Sequence, residues 1–142
     1  MVTSAKVLVI DDDPDFRDSV KSLLESRGCT VIMADSGKEG LRKLVEDKPD
    51  VILLDVMMET DVEGYSVTQA VKWKNEYAEY QNIPILMLSS IQETPDELFP
   101  QATEVEAIRP DFYLSKPLDI PKFLATLERA VALYQAHRVG TV

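Results

Sequence analysis

The feature that most constrains this chain is a set of five short apolar runs, each followed by a stretch with helical spacing. The runs are Val7-Leu8-Val9-Ile10, Val31-Ile32-Met33, Val51-Ile52-Leu53-Leu54, Ile85-Leu86-Met87-Leu88 and Phe112-Tyr113-Leu114. A strand with one wet face alternates apolar and polar residues, whereas a strand covered on both faces reads as a continuous apolar run. These runs therefore predict strands sandwiched between two layers of helix, the setting of a parallel sheet.

The intervening segments supply the helices. Phe16, Val20, Leu23 and Leu24 share one helical face, with Pro14 in the first turn and Gly28 past the end. Ser36 and Glu39 form a capping box before a helix expected to carry Leu41, Leu44 and Val45 inward, ending before Pro49. A polar loop over 59–64 leads into a third helix predicted from about 65 to 80. Residues 92–110 are broken by Pro95, Pro100 and Pro110 around a short helix, and Asp119 caps a last helix carrying Phe123, Leu124, Leu127, Val131 and Tyr134. Strict βα alternation with right-handed crossovers closes as a doubly wound α/β sheet. One domain is expected to fill residues 1–142, with a core at about 6–136 and no attached output domain.

Composition removes several functions. With 25 acidic against 15 basic residues, the formal net charge of -10 is the reverse of what phosphate-backbone or anionic-membrane binding requires. A single cysteine, Cys29, permits neither an internal disulfide nor a multi-cysteine zinc site and reads as a small core residue. The four apolar residues after Lys6 are too few for a signal segment, and no later stretch is long enough to span a bilayer, so a cytoplasmic setting is expected.

The chemistry gathers where the runs end. Asp11 and Asp12 follow the first run, Asp55 the third, Ser89 the fourth, and Lys116 lies just past the fifth. Open parallel sheets bind ligands outside the carboxyl ends of their strands, so these scattered residues should share one pocket. Three carboxylates in one place repel unless a cation joins them, and hard oxygen ligands with room for water suit Mg²⁺. A lysine and a hydroxyl at the same edge can contact phosphoryl oxygens. The set describes metal-assisted phosphoryl transfer to an aspartate nucleophile.

On these residues the chain resembles the response-regulator receiver domains, the CheY-like phosphoacceptors of two-component signalling. The carrying stretches are Val7 to Pro14, Val51 to Met58, Ile85 to Ser90 and Tyr113 to Pro117. The resemblance implies a flavodoxin-like sheet of order 2-1-3-4-5 with five helices. It implies Asp55 as the phosphorylated residue, with Mg²⁺ (Mn²⁺ as a substitute) held by Asp12, Asp55 and the backbone carbonyl of Met57, and by Asp11 through water. Lys116, joined to Pro117 by a cis bond, would pair with phosphoryl oxygens, and Ser89 and Tyr113 would be the switch residues. Asp13 falls at a variable position and receives no role. The implied donor is a sensor histidine kinase or histidine phosphotransfer protein, and the output is altered binding to an unidentified downstream protein, as a monomer or a phosphorylation-dependent homodimer.

Two departures qualify the match. The family pattern places Pro at 59 and Gly at 63, where this chain has Glu59 and Glu63, with Gly64 one residue late. The segment from Ser89 to Lys116 is also longer than usual and rich in proline. The altered loop keeps open a second reading, a receiver-like interaction module that works without phosphorylation. Met57 and Ile91 are apolar where the family lines the hydrolytic path, so a long-lived acyl phosphate is expected. A small aspartate phosphatase is disfavoured by Asp15 where Thr or Val is needed, and a flavodoxin by three acids in place of a phosphate loop. Trp73, Tyr77 and Tyr80 form a stripe at helical spacing, read either as packing under the long segment or as a partner surface. His137, the single histidine, is assigned no chemistry.

Overall fold

The computed structural model describes residues 4–55, 63–89 and 111–140, the side chains of 63–66, 89 and 136–140 aside. Its elements are β1 (Lys6–Ile10), α1 (Pro14–Glu25), β2 (Thr30–Ala34), α2 (Gly37–Asp47), β3 (Val51–Asp55), α3 (Glu63–Trp73), a 3-10 helix (Asn75–Tyr80), β4 (Ile85–Ser89), β5 (Phe112–Ser115) and the C-terminal helix α4 (Ile120–Gly140). That is five strands and five helical segments among the described residues. The strands form one sheet of order β2-β1-β3-β4-β5, and every neighbouring pair is parallel. The doubly wound sheet expected from the apolar runs is what the chain forms.

Side chains alternate across a strand, so each run divides between two cores. Val7 and Val9 of β1, Val51 and Leu53 of β3, and Leu86 and Leu88 of β4 face α1 and α4, meeting Val20, Leu24, Phe123 and Leu127. Leu8 and Ile10, Ile52 and Leu54, and Ile85 and Met87 face the other way, against Leu44 of α2, Val67 and Val71 of α3, and Tyr80. Each fully buried aliphatic side chain contributes about 1.5–3 kcal/mol. Cys29 is buried as expected, and burial pushes its thiol pKa upward.

Three local readings are corrected. Val45 is 45% exposed rather than inward. Gly37, Gly40 and Leu44 form the covered face of α2, because the helix approaches the sheet so closely that a Cβ on Gly40 would stand 2.3 Å from Ile10 Cδ1. The capping box is made by its serine half: Ser36 Oγ accepts from the Glu39 N–H at 3.2 Å, while the Glu39 carboxylate pairs with Arg42 and Lys43. The third helix does not continue to residue 80. Lys74 is extended (φ -82°, ψ 135°), so the chain leaves α3 and re-forms as the 3-10 helix. The aromatic stripe is thereby split: Trp73 is 64% exposed, Tyr77 half-buried and Tyr80 buried at 5%. The short helix expected within 92–110 lies outside the described residues.

Among the described residues no helix is long and apolar enough to cross a membrane.

Candidate functional site

The parallel register places the acids side by side. Ile10 pairs with Leu54 and Asp55 with Leu88, so Asp11 and Asp55 leave β1 and β3 at one level and Ser89 follows one residue further along β4. The Asp11 N–H extends the ladder by donating to the Ala34 carbonyl at 3.1 Å. One carboxylate oxygen from each of Asp11, Asp12 and Asp55 can be chosen so that all lie within 4.8 Å of one another. Asp11 and Asp55 are buried, at 1% and 7% exposure, and Asp12 is the most open of the three. Hard oxygen donors this close, with one facing solvent, fit a hydrated divalent cation of the Mg²⁺ type.

Lys116 closes the pocket from β5. Its Nζ donates to Asp11 Oδ2 at 2.8 Å and lies 3.6 Å from Asp55 Oδ2. The Lys116–Pro117 bond is cis. Tyr113, on the same strand, is half-buried against the α2–α3 core and lines a cavity of about 240 Å³ with Ser115, Pro117 and Phe123. The backbone of Ser89 ends β4 at the same edge, opposite Ser115. Met57, Glu59, Asp61 and Ile91 lie outside the described residues, and His137 falls in the last turns of α4.

The first turn of α1 adds further contacts around these acids. Asp13, assigned no role, is the N-cap: its Oδ1 accepts from the N–H groups of Asp15 at 3.0 Å and Phe16 at 3.4 Å. The Asp13 N–H in turn donates to Asp11 Oδ1 at 2.9 Å, giving that buried carboxylate a backbone partner beside the lysine. Arg17 reaches back to donate to the Asp11 carbonyl at 2.6 Å. Phe16, read only as a core residue, places its ring centroid 4.1 Å from Lys116 Nζ. The available signal was position, since Asp13, Phe16 and Arg17 all directly follow the acids.

Fold and pocket together define a doubly wound domain with an acidic, lysine-closed site at the carboxyl edge of its sheet, the architecture of a CheY-like signalling domain. Residues 7–128 match the response regulator receiver domain, and the chain belongs to that family. Protein PilG of Pseudomonas aeruginosa is 34% identical over 126 residues, covering 89% of this chain and 87% of that protein. The DNA-binding dual master transcriptional regulator RpaA of Synechocystis is 36% identical over 120 residues, covering 84% of this chain. This chain spans only 46% of that regulator's length. The solved structure of chemotaxis response regulator CheY4 of Vibrio cholerae superposes with a TM-score of 0.74 at 33% identity, covering 90% of this chain and 99% of that one. Receiver domains are signalling modules of two-component response regulators that bind Mg²⁺ at an acidic pocket and interact with histidine kinases and downstream effectors.

Proposed function

We propose that this chain is a phosphoacceptor whose nucleophile is Asp55. The observation that carries the reading is the Lys116 ammonium standing 2.8 Å from Asp11 and 3.6 Å from Asp55, with three carboxylates gathered beneath it. A carboxylate oxygen of Asp55 attacks the phosphorus of a phosphohistidine on a sensor kinase or phosphotransfer protein. The P–N bond breaks as the O–P bond forms, and the imidazole nitrogen keeps the electron pair.

Asp12 and Asp55 would hold the Mg²⁺, with Asp11 through water and the Met57 carbonyl as a further ligand. When bound, the cation offsets charge accumulating on the phosphoryl oxygens. Lys116, whose Nζ lies 3.6 Å from Asp55 Oδ2, would supply a second positive charge to the same oxygens. Burial of Asp11 and Asp55 keeps bulk water from screening these interactions. Ser89 ends β4 at this edge, where its hydroxyl would turn to hydrogen-bond the phosphoryl group on Asp55, and Tyr113 would change rotamer with it. The acyl phosphate would thereby favour a second conformation with altered affinity for a downstream protein, in a cytoplasmic phosphorelay.

The test is incubation with Mg²⁺ and acetyl phosphate, comparing the wild-type chain with Asp55→Asn by intact mass and acid-stable gel. Labelling of the wild type alone is expected. Labelling that survives in D55N, or none in either protein, would overturn the reading; the second outcome favours an interaction module that works without phosphorylation.

A further inference from the structure

We propose that Phe16 is a positioning residue for Lys116, its ring face holding the ammonium over the acidic pocket; the proposal rests on the reading of Asp55 as phosphoacceptor. Lys116 Nζ lies 4.1 Å from the Phe16 ring centroid, with Asp11 Oδ2 at 2.8 Å and Asp55 Oδ2 at 3.6 Å. The ammonium is therefore held between an aromatic face and two carboxylates, and the lysine side chain is only 20% exposed. The negative face of an aromatic ring attracts a cation at this distance, and more strongly where water is partly excluded.

The ring is a fixed support. Phe16 is half-buried and packs against the α1–α4 core. Its N–H is bonded to the Asp13 cap, and the adjacent Arg17 ties the same turn to the Asp11 carbonyl. The ring is thus anchored to the strand end that carries the acids. Core packing alone would accept Leu at this position, since it needs only apolar volume. A ring face does something Leu cannot: it attracts the ammonium without accepting a conventional N–H···O bond. The lysine N–H groups stay available to oxygens in the pocket, first Asp11 and then a phosphoryl group on Asp55, while the long side chain is kept from turning outward to solvent.

Phe16→Leu retains apolar contact and removes the ring, whereas Phe16→Tyr and Phe16→Trp retain a ring face. In metal-free buffer, the Lys116 Cε protons should be shifted upfield by the ring in the wild type, return to ordinary values in F16L, and remain shifted in F16Y and F16W. With Mg²⁺ present, affinity for beryllofluoride should fall about fivefold in F16L and stay within about twofold in F16Y and F16W. Affinity for Mg²⁺ alone should be unchanged in all three, because Lys116 is a cation and not a metal ligand. An unshifted Lys116 signal in the wild type would overturn the proposal. So would equal losses for Leu, Tyr and Trp, or unchanged beryllofluoride affinity in F16L. A parallel loss of Mg²⁺ affinity in F16L would also overturn it by marking a packing defect. A shifted Lys116 signal in a wild type that binds no beryllofluoride would reject the phosphoacceptor reading itself, and the positioning role with it.

Discussion

At the amino end of the sheet, Lys72 of α3 donates to the carbonyls of Gln81 (3.2 Å) and Ile83 (3.1 Å) and to Asp111 Oδ2 (2.8 Å). The same Asp111 oxygen accepts from the Ile85 N–H at the start of β4, at 2.9 Å. At the carboxyl end, Lys116 stands the same 2.8 Å from Asp11, yet Asp12 and Asp55 crowd the same place. The amino-end lysine has one carboxylate and two backbone carbonyls, an acceptor for each of its protons. The carboxyl-end lysine faces an excess of carboxylates. Identical residue types and one identical distance thus serve different purposes. Charge paired with backbone partners fastens α3 to β4 and β5, whereas three carboxylates crowded around one lysine make a place for a further cation or an incoming phosphoryl group.

The largest effect that could break this contrast comes from Lys116→Met in metal-free buffer. Asp11 is 1% exposed and would lose its ammonium while two other carboxylates remain nearby. Removing one partner of a buried pair leaves an uncompensated charge, so urea unfolding should show a loss of about 3 kcal/mol or more. Mg²⁺ should restore part of that loss. An unchanged denaturation midpoint would mean that Asp11 does not depend on Lys116, and the contrast would fail.

Lys72→Met is the matching change at the other end. It leaves the part-buried Ile83 carbonyl without its lysine, while the exposed Gln81 carbonyl can turn to water and Asp111, 39% exposed at its side chain, keeps the Ile85 N–H. The cost expected from the unmade bond at the part-buried Ile83 carbonyl is about 2 kcal/mol, and Mg²⁺ should recover none of it. Acetyl phosphate labelling of Asp55 should persist in K72M at the wild-type rate. A K72M protein rescued by Mg²⁺ would place the two ends of the sheet in communication and refute their separation.

The functional edge was far more legible in the sequence than its counterpart. Burial on both faces forces apolar runs, runs mark strands, and a parallel sheet brings every run's carboxyl end to one edge. Asp11, Asp55 and Lys116 could therefore be assembled with no knowledge of their distances. The Lys72–Asp111 fastening follows from no such rule: the partners are 39 residues apart, and Lys72 reads as one more surface charge on a helix. The end of α3 was hidden for a related reason. Trp73, Tyr77 and Tyr80 keep helical spacing, and no Gly or Pro marks the break, but burying Tyr80 and Ile83 turns the chain at Lys74. Val45 was misplaced because the close approach of Gly40 to Ile10, which rotates the covered face of α2, is a property of the packed pair. Phe16 was read as core, and it is; its second contact, with Lys116 a hundred residues later, requires the fold.

The smallest expected effect tests the crowded carboxylates directly. If the carboxylate excess is a cation site, Mg²⁺ should stabilise the native chain by binding it and not the unfolded one. The gain is about 1.4 kcal/mol when free Mg²⁺ is ten times its dissociation constant. Thermal melts with and without Mg²⁺, at constant ionic strength set by KCl, separate this from general screening. Asp12→Asn should abolish most of the gain, because it removes the solvent-facing carboxylate, and should cost little without metal, because relieved repulsion offsets what is lost. The Lys72–Asp111 end supplies the control: Asp111→Asn should leave the Mg²⁺ increment intact while lowering the melting temperature in both buffers. Equal Mg²⁺ increments for wild type and D12N would show that the acids at the carboxyl edge, for all their crowding, are no more a cation site than the pair at the other end.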